Sequence, residues 1–497
     1  MNTPILAWTD FILDLSDVVR DMQEHVYVVG GAVRDALLRR PLKDIDLVTT
    51  DKGIKLGRKI ANHFKGDFYI LDDERDVARV LIDTPDGKIV IDISGLRAVD
   101  LAADLADRDF TVNALAVDLK GDLNQLIDPL GGAQDLITKR LRRCSPTSIT
   151  NDPIRILRGI RQSIQFGMRL DPDTLQDMKV NAERLHEPSP ERIRDELVKL
   201  LSLPKPTAAL RVADNLGVLQ VILPELSAQH DLQQAHPHIH DVWNHTLAVM
   251  DALNHIASTI MPNRTDDTAA QFNLGMIVVA LDRYRTRLQD HLTTIWSDER
   301  PHRALLMLTA LFHDIGKALT EPTRDERGRI AYPNHEIIGA EVANDRLTDL
   351  KFSNAERKFV VSLVQSHIER VMWHDTLTPL DIYRFWKRGQ EGIDLILLSF
   401  ADYLGTTGHT YDQALWLHLV ENAQILLDAY FEHYDELVNP PALLNGDDLM
   451  ATLGLPPGPV IRDLLELIRE GQVAGIIYST EDALQQAREF LKRAQTP

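Results

Sequence analysis

Residues 28–48 read VVGGAVRDALLRRPLKDIDLV. A short apolar run stops at Gly30-Gly31, residues 32–39 follow as a short helix, and a second apolar run begins beyond Pro41. Strand, glycine pair, helix and return strand open an α/β sheet. Side chains alternate faces along a strand, so Asp44 and Asp46, two apart around Ile45, point the same way. Two carboxylates side by side repel unless a cation sits between them. Phosphoryl chemistry uses that arrangement to hold Mg2+ against an attacking oxygen and a phosphate. Asp92, in IVIDI at 89–93, is a candidate third carboxylate from a neighbouring strand. Glycines at positions 30 and 31 let a phosphate approach backbone N–H groups where a helix starts.

Working outward, residues 25–29, 45–49, 67–71, 77–82, 88–93 and 113–118 are apolar or alternating runs separated by Gly, Asp and Pro turns, which predicts strands. From about residue 134 the strand pattern stops. Residues 152–166, 190–202 and 207–219, then 243–257, 302–319, 335–349, 354–371, 391–405 and 412–434, repeat apolar residues at helical spacing. Residues 235–238 read as a linker, and Pro440-Pro441 with Pro456-Pro457 set off a last helical piece. The fold class is α+β and multidomain: a small mixed-sheet head over 1–135, a helical neck over 136–234, a helical domain over 235–410 and a helical tail over 411–497.

The chain has 497 residues, 44% of them hydrophobic, enough for several cores. A single cysteine, Cys144, excludes a disulfide framework and a thiolate zinc site. The first residues, MNTPILAWTDFILDL, are broken by Asp10 and Asp14 and lack a basic start, and no apolar run reaches membrane-spanning length, which predicts a cytoplasmic protein without membrane contact. The formal charge of -20 opposes a global grip on nucleic acid. Yet Leu136–Arg211 carries fifteen Lys/Arg against nine Asp/Glu, a local excess of positive charge suited to a polyanion.

The run at 28–48 resembles the signature of the class II tRNA nucleotidyltransferase and bacterial poly(A) polymerase family, within the polymerase-β-like nucleotidyltransferases. The likeness continues through DRDFTVNALAVD at 107–118, LIDPLGGAQDL at 126–136, DPIRILRGIRQSIQFG at 152–167 and PERIRDELVKLL at 190–201. It implies that Asp44 and Asp46, with Asp92 as third carboxylate, hold Mg2+. It places Gly30, Gly31 and Arg34 at the triphosphate, and Arg108, Asp109 and Asn113 at ribose and triphosphate. Asp152 and Arg155 match the pair that reads the Watson–Crick edge of CTP or ATP, an acceptor three residues from a donor on one helix face. Arg158 and Arg161 continue that face toward triphosphate or the tRNA backbone. The block departs from the family where Asn151 stands for the usual glutamate.

The implied activity is addition of CMP and AMP, from CTP and ATP, to the tRNA 3' end. Members that complete CCA usually carry a longer basic segment than the ISGLRAVDLAADLAD found at 93–107. That shortness raises CC-only addition as the alternative. Poly(A) synthesis is disfavoured because no basic tail follows.

In the second half, His245, His313-Asp314, His335, His367 and Asp402 sit within apolar helical stretches, where ionisable groups are costly unless something binds them. Imidazole with carboxylate suits a divalent metal. The set resembles the HD phosphohydrolase domain, which implies His245, His313, Asp314 and Asp402 as core metal ligands, His335 and His367 toward a second ion, and Lys317 at a phosphate. By the same likeness the domain hydrolyses phosphate esters at RNA ends. A hydrolase carrying an RNA-binding N-terminal module is the competing class.

Overall fold

The computed structural model describes residues 6–85, 87–261, 272–296, 300–324, 326, 328–369, 375–408 and 412–494. Contacts divide the chain into two compact units. The first runs to Leu203 and includes Ala208–Ile222, and the second comprises Pro204–Thr207 and the chain from Leu223 onward.

In the first unit β1 (Val26–Val29), β2 (Asp44–Thr49), β3 (Asp67–Asp72), β4 (Val77–Thr84), β5 (Gly87–Gly95) and β6 (Ala116–Asp118) form one sheet in the order β3-β4-β5-β2-β1-β6. β2 and β5 are parallel and the other neighbours antiparallel, the expected mixed sheet. All six expected strands are present. The last is shorter than its apolar run because Thr111–Asn113 closes a 3-10 turn first.

One face of the sheet is buried under α1 (Asp10–Val19) and α3 (Gly53–Phe64), with α2 (Gly31–Leu37) following β1. Ile45, Leu47, Val80, Ile91 and Ile93 share a core there with Ile12, Leu15, Leu56 and Ile60. Each such side chain contributes about 1.5–3 kcal/mol when fully buried. The sequence reading did not pick out α3, whose buried stripe of Leu56, Gly57, Ile60 and Ala61 is diluted by Lys55, Arg58 and Lys59. The Asp76 carboxylate accepts from the Ile54 N–H at 3.1 Å at its start, and Lys65 in the left-handed region ends it. On the opposite face α4 (Leu101–Ala106) covers only one end, where Leu105 meets Val29, Val48, Ala114 and Ala116.

The unit continues with α5 (Gly132–Ile137), α6 (Ser148–Asn151), α7 (Arg155–Phe166), α8 (Pro172–Val180), α9 (Pro190–Leu201), α10 (Pro206–Asn215) and α11 (Leu219–Ile222). Strand structure does not stop at 134 as expected. Arg140–Leu141 pairs in parallel with Arg169–Leu170, a ladder too short to leave an apolar run.

The second unit is helical: α12 (Val242–Ile260), α13 (Phe272–Asp282), α14 (Arg285–Thr293), α15 (His302–Phe312), α16 (His335–Asp349), α17 (Asn354–Ser366), α18 (Pro379–Trp386), α19 (Glu391–Thr407), α20 (Gln413–Glu432), α21 (Gly446–Leu453), α22 (Pro459–Val473) and α23 (Thr480–Ala494). The helix expected over 302–319 breaks at His313-Asp314 and resumes as a 3-10 turn over Ile315–Leu319. The helix expected over 354–371 ends at Ser366, and residues 370–371 lie outside the described residues. The last three helices hold a cluster of their own around Leu449, Leu464 and Ile468.

Candidate active sites

Asp44 and Asp46 leave β2 on the face away from Ile45 and Leu47. β5 runs alongside with Asp92 in register with Asp46, so the third carboxylate lies in the same row. Arg79 on β4 is the next residue in that row. Its Nε donates to Asp92 Oδ1 at 2.8 Å and its Nη2 to Oδ2 at 2.9 Å.

A cavity of about 280 Å³ opens beside Asp46 and Asp92, walled by Arg97, Arg108, Arg155 and Arg192. A second, of about 450 Å³, shares Asp46, Arg108, Asp109 and Arg158 with it and extends to Gly30, Arg34 and Asp44. Solvent reaches the Asp46 carboxylate through the cavity, but protein surrounds the rest of it. Its pKa is raised, first by lost hydration and then by Asp92 and Asp44, with Arg108 and Arg97 opposing. A carboxylate under that strain beside two others, with arginines at the rim, fits a hard divalent cation and an anionic ligand.

Gly30 adopts φ +73°, a conformation open to glycine. A Cβ there would lie 2.8 Å from Arg108 Nη1 and 3.4 Å from Asp46 Oδ2. Gly30→Ala therefore both strains the backbone, at about 1–3 kcal/mol for a sparsely populated positive-φ conformation, and pushes Arg108 from the cavity. The expected outcome is at least a roughly tenfold loss of kcat/KM for the incoming nucleotide, read by steady-state incorporation.

Arg34, Asp109 and Asn113 form an internal network. Arg34 Nη1 donates to Asn113 Oδ1 (2.6 Å), and Asn113 Nδ2 donates to Asp109 Oδ1 (2.9 Å) and Gln162 Oε1 (3.0 Å). Arg158 Nε donates to Asp109 Oδ2 at 2.9 Å. Burial pushes the Asp109 carboxyl up, yet Arg158, Asn113 and the Phe110 N–H hold it below its ordinary value. Asp109 and Asn113 are buried and engaged, so here they brace Arg34 and Arg158 at the cavity.

Asp152 and Arg155 both line the smaller cavity, but not from one helix face as expected. Asp152 is extended, with φ −151°, between α6 and α7, because Pro153 follows it. Its carboxylate accepts from Arg192 Nη1 at 3.0 Å and Nη2 at 2.8 Å. Arg155 donates to the Arg108 and Asp107 carbonyls at 3.0 and 2.8 Å. Arg161 pairs with buried Glu196 at 2.8 Å. Arg192 and Arg97 were missed as site residues, although Arg192 lies in the quoted block at 190–201. Cys144 also belongs to this region, donating its N–H to the Asp109 carbonyl. Its thiol is pushed up to about 12 by burial and the Asp109 charge.

In the second unit α12, α15, α16, α17 and α19 bring all six expected ligands together. His245 Nε2 lies 3.3 Å from Asp314 Oδ2 and 3.1 Å from Asp402 Oδ1, and His313 Nε2 lies 3.3 Å from Asp314 Oδ2. On the other side of the same carboxylate, Asp314 Oδ1 is 3.4 Å from His335 Nε2 and 3.5 Å from His367 Nε2. Such separations are near the edges of a coordination polyhedron with bonds of about 2.0–2.2 Å. The Nδ1 atoms of His313, His335 and His367 face backbone carbonyls at 2.6–2.8 Å, which leaves each Nε2 lone pair facing inward. The geometry fits two ions bridged by Asp314.

Without cations, burial opposes charge on His245, yet Asp314 and Asp402 carry its pKa up to about 9. Against the cost of burial, Lys317 and His313 hold Asp314 well below its ordinary value. A cavity of about 560 Å³ opens here, with Lys317 and His238 in its wall. The segment read as a linker therefore contributes a wall of this site. Burial and Lys317 push His238 down to about 4.

A further cluster, His291, His302 and Asp394, has the composition of a metal site. His291 and His302 Nε2 approach the two Asp394 oxygens at 3.0 and 2.8 Å. Trp296 Nε1 donates to His302 Nδ1 at 3.0 Å. An indole N–H only donates, so the His302 proton resides on Nε2 and points at Asp394. With Nε2 protonated and the Nδ1 lone pair accepting from Trp296, His302 offers no lone pair to a metal, and the cluster anchors α14, α15 and α19 by hydrogen bonds.

Models of four families match the chain: the Poly A polymerase head domain over 26–142, the probable RNA- and SrmB-binding site of polymerase A over 167–229, the HD domain over 242–407, and tRNA nucleotidyltransferase domain 2 over 337–487. An A-adding tRNA nucleotidyltransferase of Deinococcus radiodurans is 31% identical, over 94% of each chain. A CC-adding tRNA nucleotidyltransferase of Thermus thermophilus is 30% identical over 93% of this chain and 92% of that one. The chain belongs to the tRNA nucleotidyltransferase family. It is a nucleotide-transferring enzyme with an HD domain in the same chain.

Solved relatives share the fold. A CCA-adding enzyme with CTP has a TM-score of 0.59 at 20% identity, covering 97% of this chain and 95% of that one. The Thermotoga maritima CCA-adding enzyme with tRNA has a TM-score of 0.55 at 19% identity, with the same coverage. No helix among the described residues is long and apolar enough to cross a membrane.

Proposed function

We propose that this family member transfers CMP from CTP to the 3' end of tRNA and stops after the CC step. The observation that carries the transfer reading is the row of Asp46 and Asp92, with Asp44 beside it, at a cavity ringed by arginines. A divalent cation such as Mg2+, held by Asp44 and Asp46, would neutralise charge on the phosphate being transferred. Arg34 and Arg158, braced by Asn113 and Asp109, bind the triphosphate over the glycine pair together with Arg108, which meets Asp104. Asp152 and Arg155, with Arg192 fixing Asp152, face the base. The basic segment of the neck, 136–234, holds the tRNA backbone, and the head, HD domain and tail correspond to 1–135, 235–410 and 411–497.

Arrest after CC is supported by the short connection between Asp92 and Arg108. It is tied down locally: Asp104 is buried, accepts from the Arg97 N–H at 3.2 Å and meets Arg108 Nη2 at 3.4 Å, while Asp100 caps α4. A connection of that length, hydrogen-bonded to itself, has little chain with which to re-form the base pocket for a purine. The CC-adding relatives at 30% identity agree. The A-adding relative favours a second reading, in which ATP is the substrate.

The test is to offer purified protein tRNA ending at the discriminator base, or at CC, with each labelled nucleotide and size the products. Two CMP additions and no AMP addition are expected. AMP added to the CC-ended tRNA overturns arrest, and no incorporation at all overturns the transfer reading.

The HD site, where Asp314 with His245 and His313 on one side and His335 and His367 on the other would hold divalent cations and Lys317 stands in the wall, supports phosphate-ester hydrolysis at RNA ends, such as opening a 2',3'-cyclic phosphate. Release of phosphate from a 3'-phosphorylated oligonucleotide in Mn2+ or Ni2+, absent from His313→Ala, is the matching measurement.

A further inference from the structure

The catalytic row does not end at Arg79. Tyr69 on β3 is the register partner of Arg79, so Tyr69, Arg79, Asp92 and Asp46 form one continuous line across four strands, all on the same face. β3 is the edge of the sheet. Adjacent strands lie about 4.8 Å apart, which puts Tyr69 about 14 Å from Asp46. Tyr69 is 50% exposed, and Leu71 beside it is equally exposed. Leu81 and Val90, in the flanking row that ends at Asp44, are half-buried. The cluster under α4 belongs to β1, β2 and β6, at the other end of this face.

An aromatic ring standing on an open sheet face, with an arginine between it and the carboxylates, is a chemistry that fits a single-stranded nucleic acid. Bases stack on such rings without regard to sequence, and sheet faces in RNA-binding folds use them in this way. We propose that Tyr69 is a stacking platform for the unpaired 3' end of the acceptor RNA, guiding it along the row toward Asp46. The proposal rests on the transfer reading above and adds to it the path of the acceptor strand. Arg79, paired with both Asp92 oxygens, lies midway along the same path.

The test uses the full chain with Mg2+ and tRNA ending at the discriminator base. Tyr69→Ala is expected to raise KM for tRNA by roughly 5- to 150-fold, the range for loss of one base–aromatic stack. KM for CTP, kcat at saturating tRNA and the melting curve should stay unchanged. Tyr69→Phe, which keeps the ring, should rescue KM for tRNA. An unchanged KM for tRNA in Tyr69→Ala overturns the platform, as does an equal rise in KM for CTP or a failure of phenylalanine to rescue. If the wild-type protein incorporates no CMP, the transfer reading fails by itself. Filter binding of the same tRNA by wild type and Tyr69→Ala then reads the platform separately, equal affinities overturning it.

Discussion

Asp46→Ala is expected to lower CMP incorporation by at least about a thousandfold, because a metal clamp on the transferring phosphate contributes several kcal/mol at the transition state. The same substitution should not cost stability. The folded environment raises the Asp46 pKa, first by lost hydration, so once pH passes the unfolded value folding holds this carboxyl at a free-energy cost that alanine removes. Thermal melting at pH 7 should be unchanged or slightly higher, while activity disappears. Asp92→Ala should behave differently, since it releases the Arg79 guanidinium from its bidentate partner. Incorporation by Asp46→Ala at the native rate would sink the carboxylate reading, and a fall in melting temperature would show that Asp46 has a structural role instead.

The second large effect is expected at Asp314. Its two oxygens face different histidine pairs, His245 with His313 and His335 with His367. Asp314→Ala should therefore abolish both ions, with an affinity loss above the roughly 10- to 100-fold typical of an outer-shell partner. His367→Ala should remove one ion and leave the other. Metal content after dialysis, measured by mass spectrometry, reads this directly, and CMP incorporation provides the control because the nucleotidyltransferase carboxylates are untouched. Retention of two ions by Asp314→Ala would refute the bridged arrangement.

Much of this was legible in the amino-acid sequence where local pattern and chemistry coincide. The six strands were readable from apolar runs bounded by turn residues; ionisable groups in apolar helical stretches only hinted at a second site, and it was the resemblance to the HD domain that implied the six residues gathered around Asp314 as ligands. What escaped notice depends on tertiary context. α3 hides its buried stripe among basic residues, and α13, α14 and α18 fall between stronger signals. The bond from Arg192 to Asp152 spans forty residues and has no local signature. Residues 235–238 have the composition of a linker, and only the fold makes His238 part of a cavity wall. The cluster of His291, His302 and Asp394 shows the reverse hazard: ligand chemistry is present, but a tryptophan donor settles the tautomer against a metal.

The thiol at position 144 is half-buried, close to the Asp109 charge. Partial burial and the Asp109 charge push its pKa up to about 12, which keeps it a thiol at neutral pH, so maleimides and mild oxidants should react with it slowly. Fluorophores or spin labels can therefore be attached at newly introduced surface cysteines without first removing the native one.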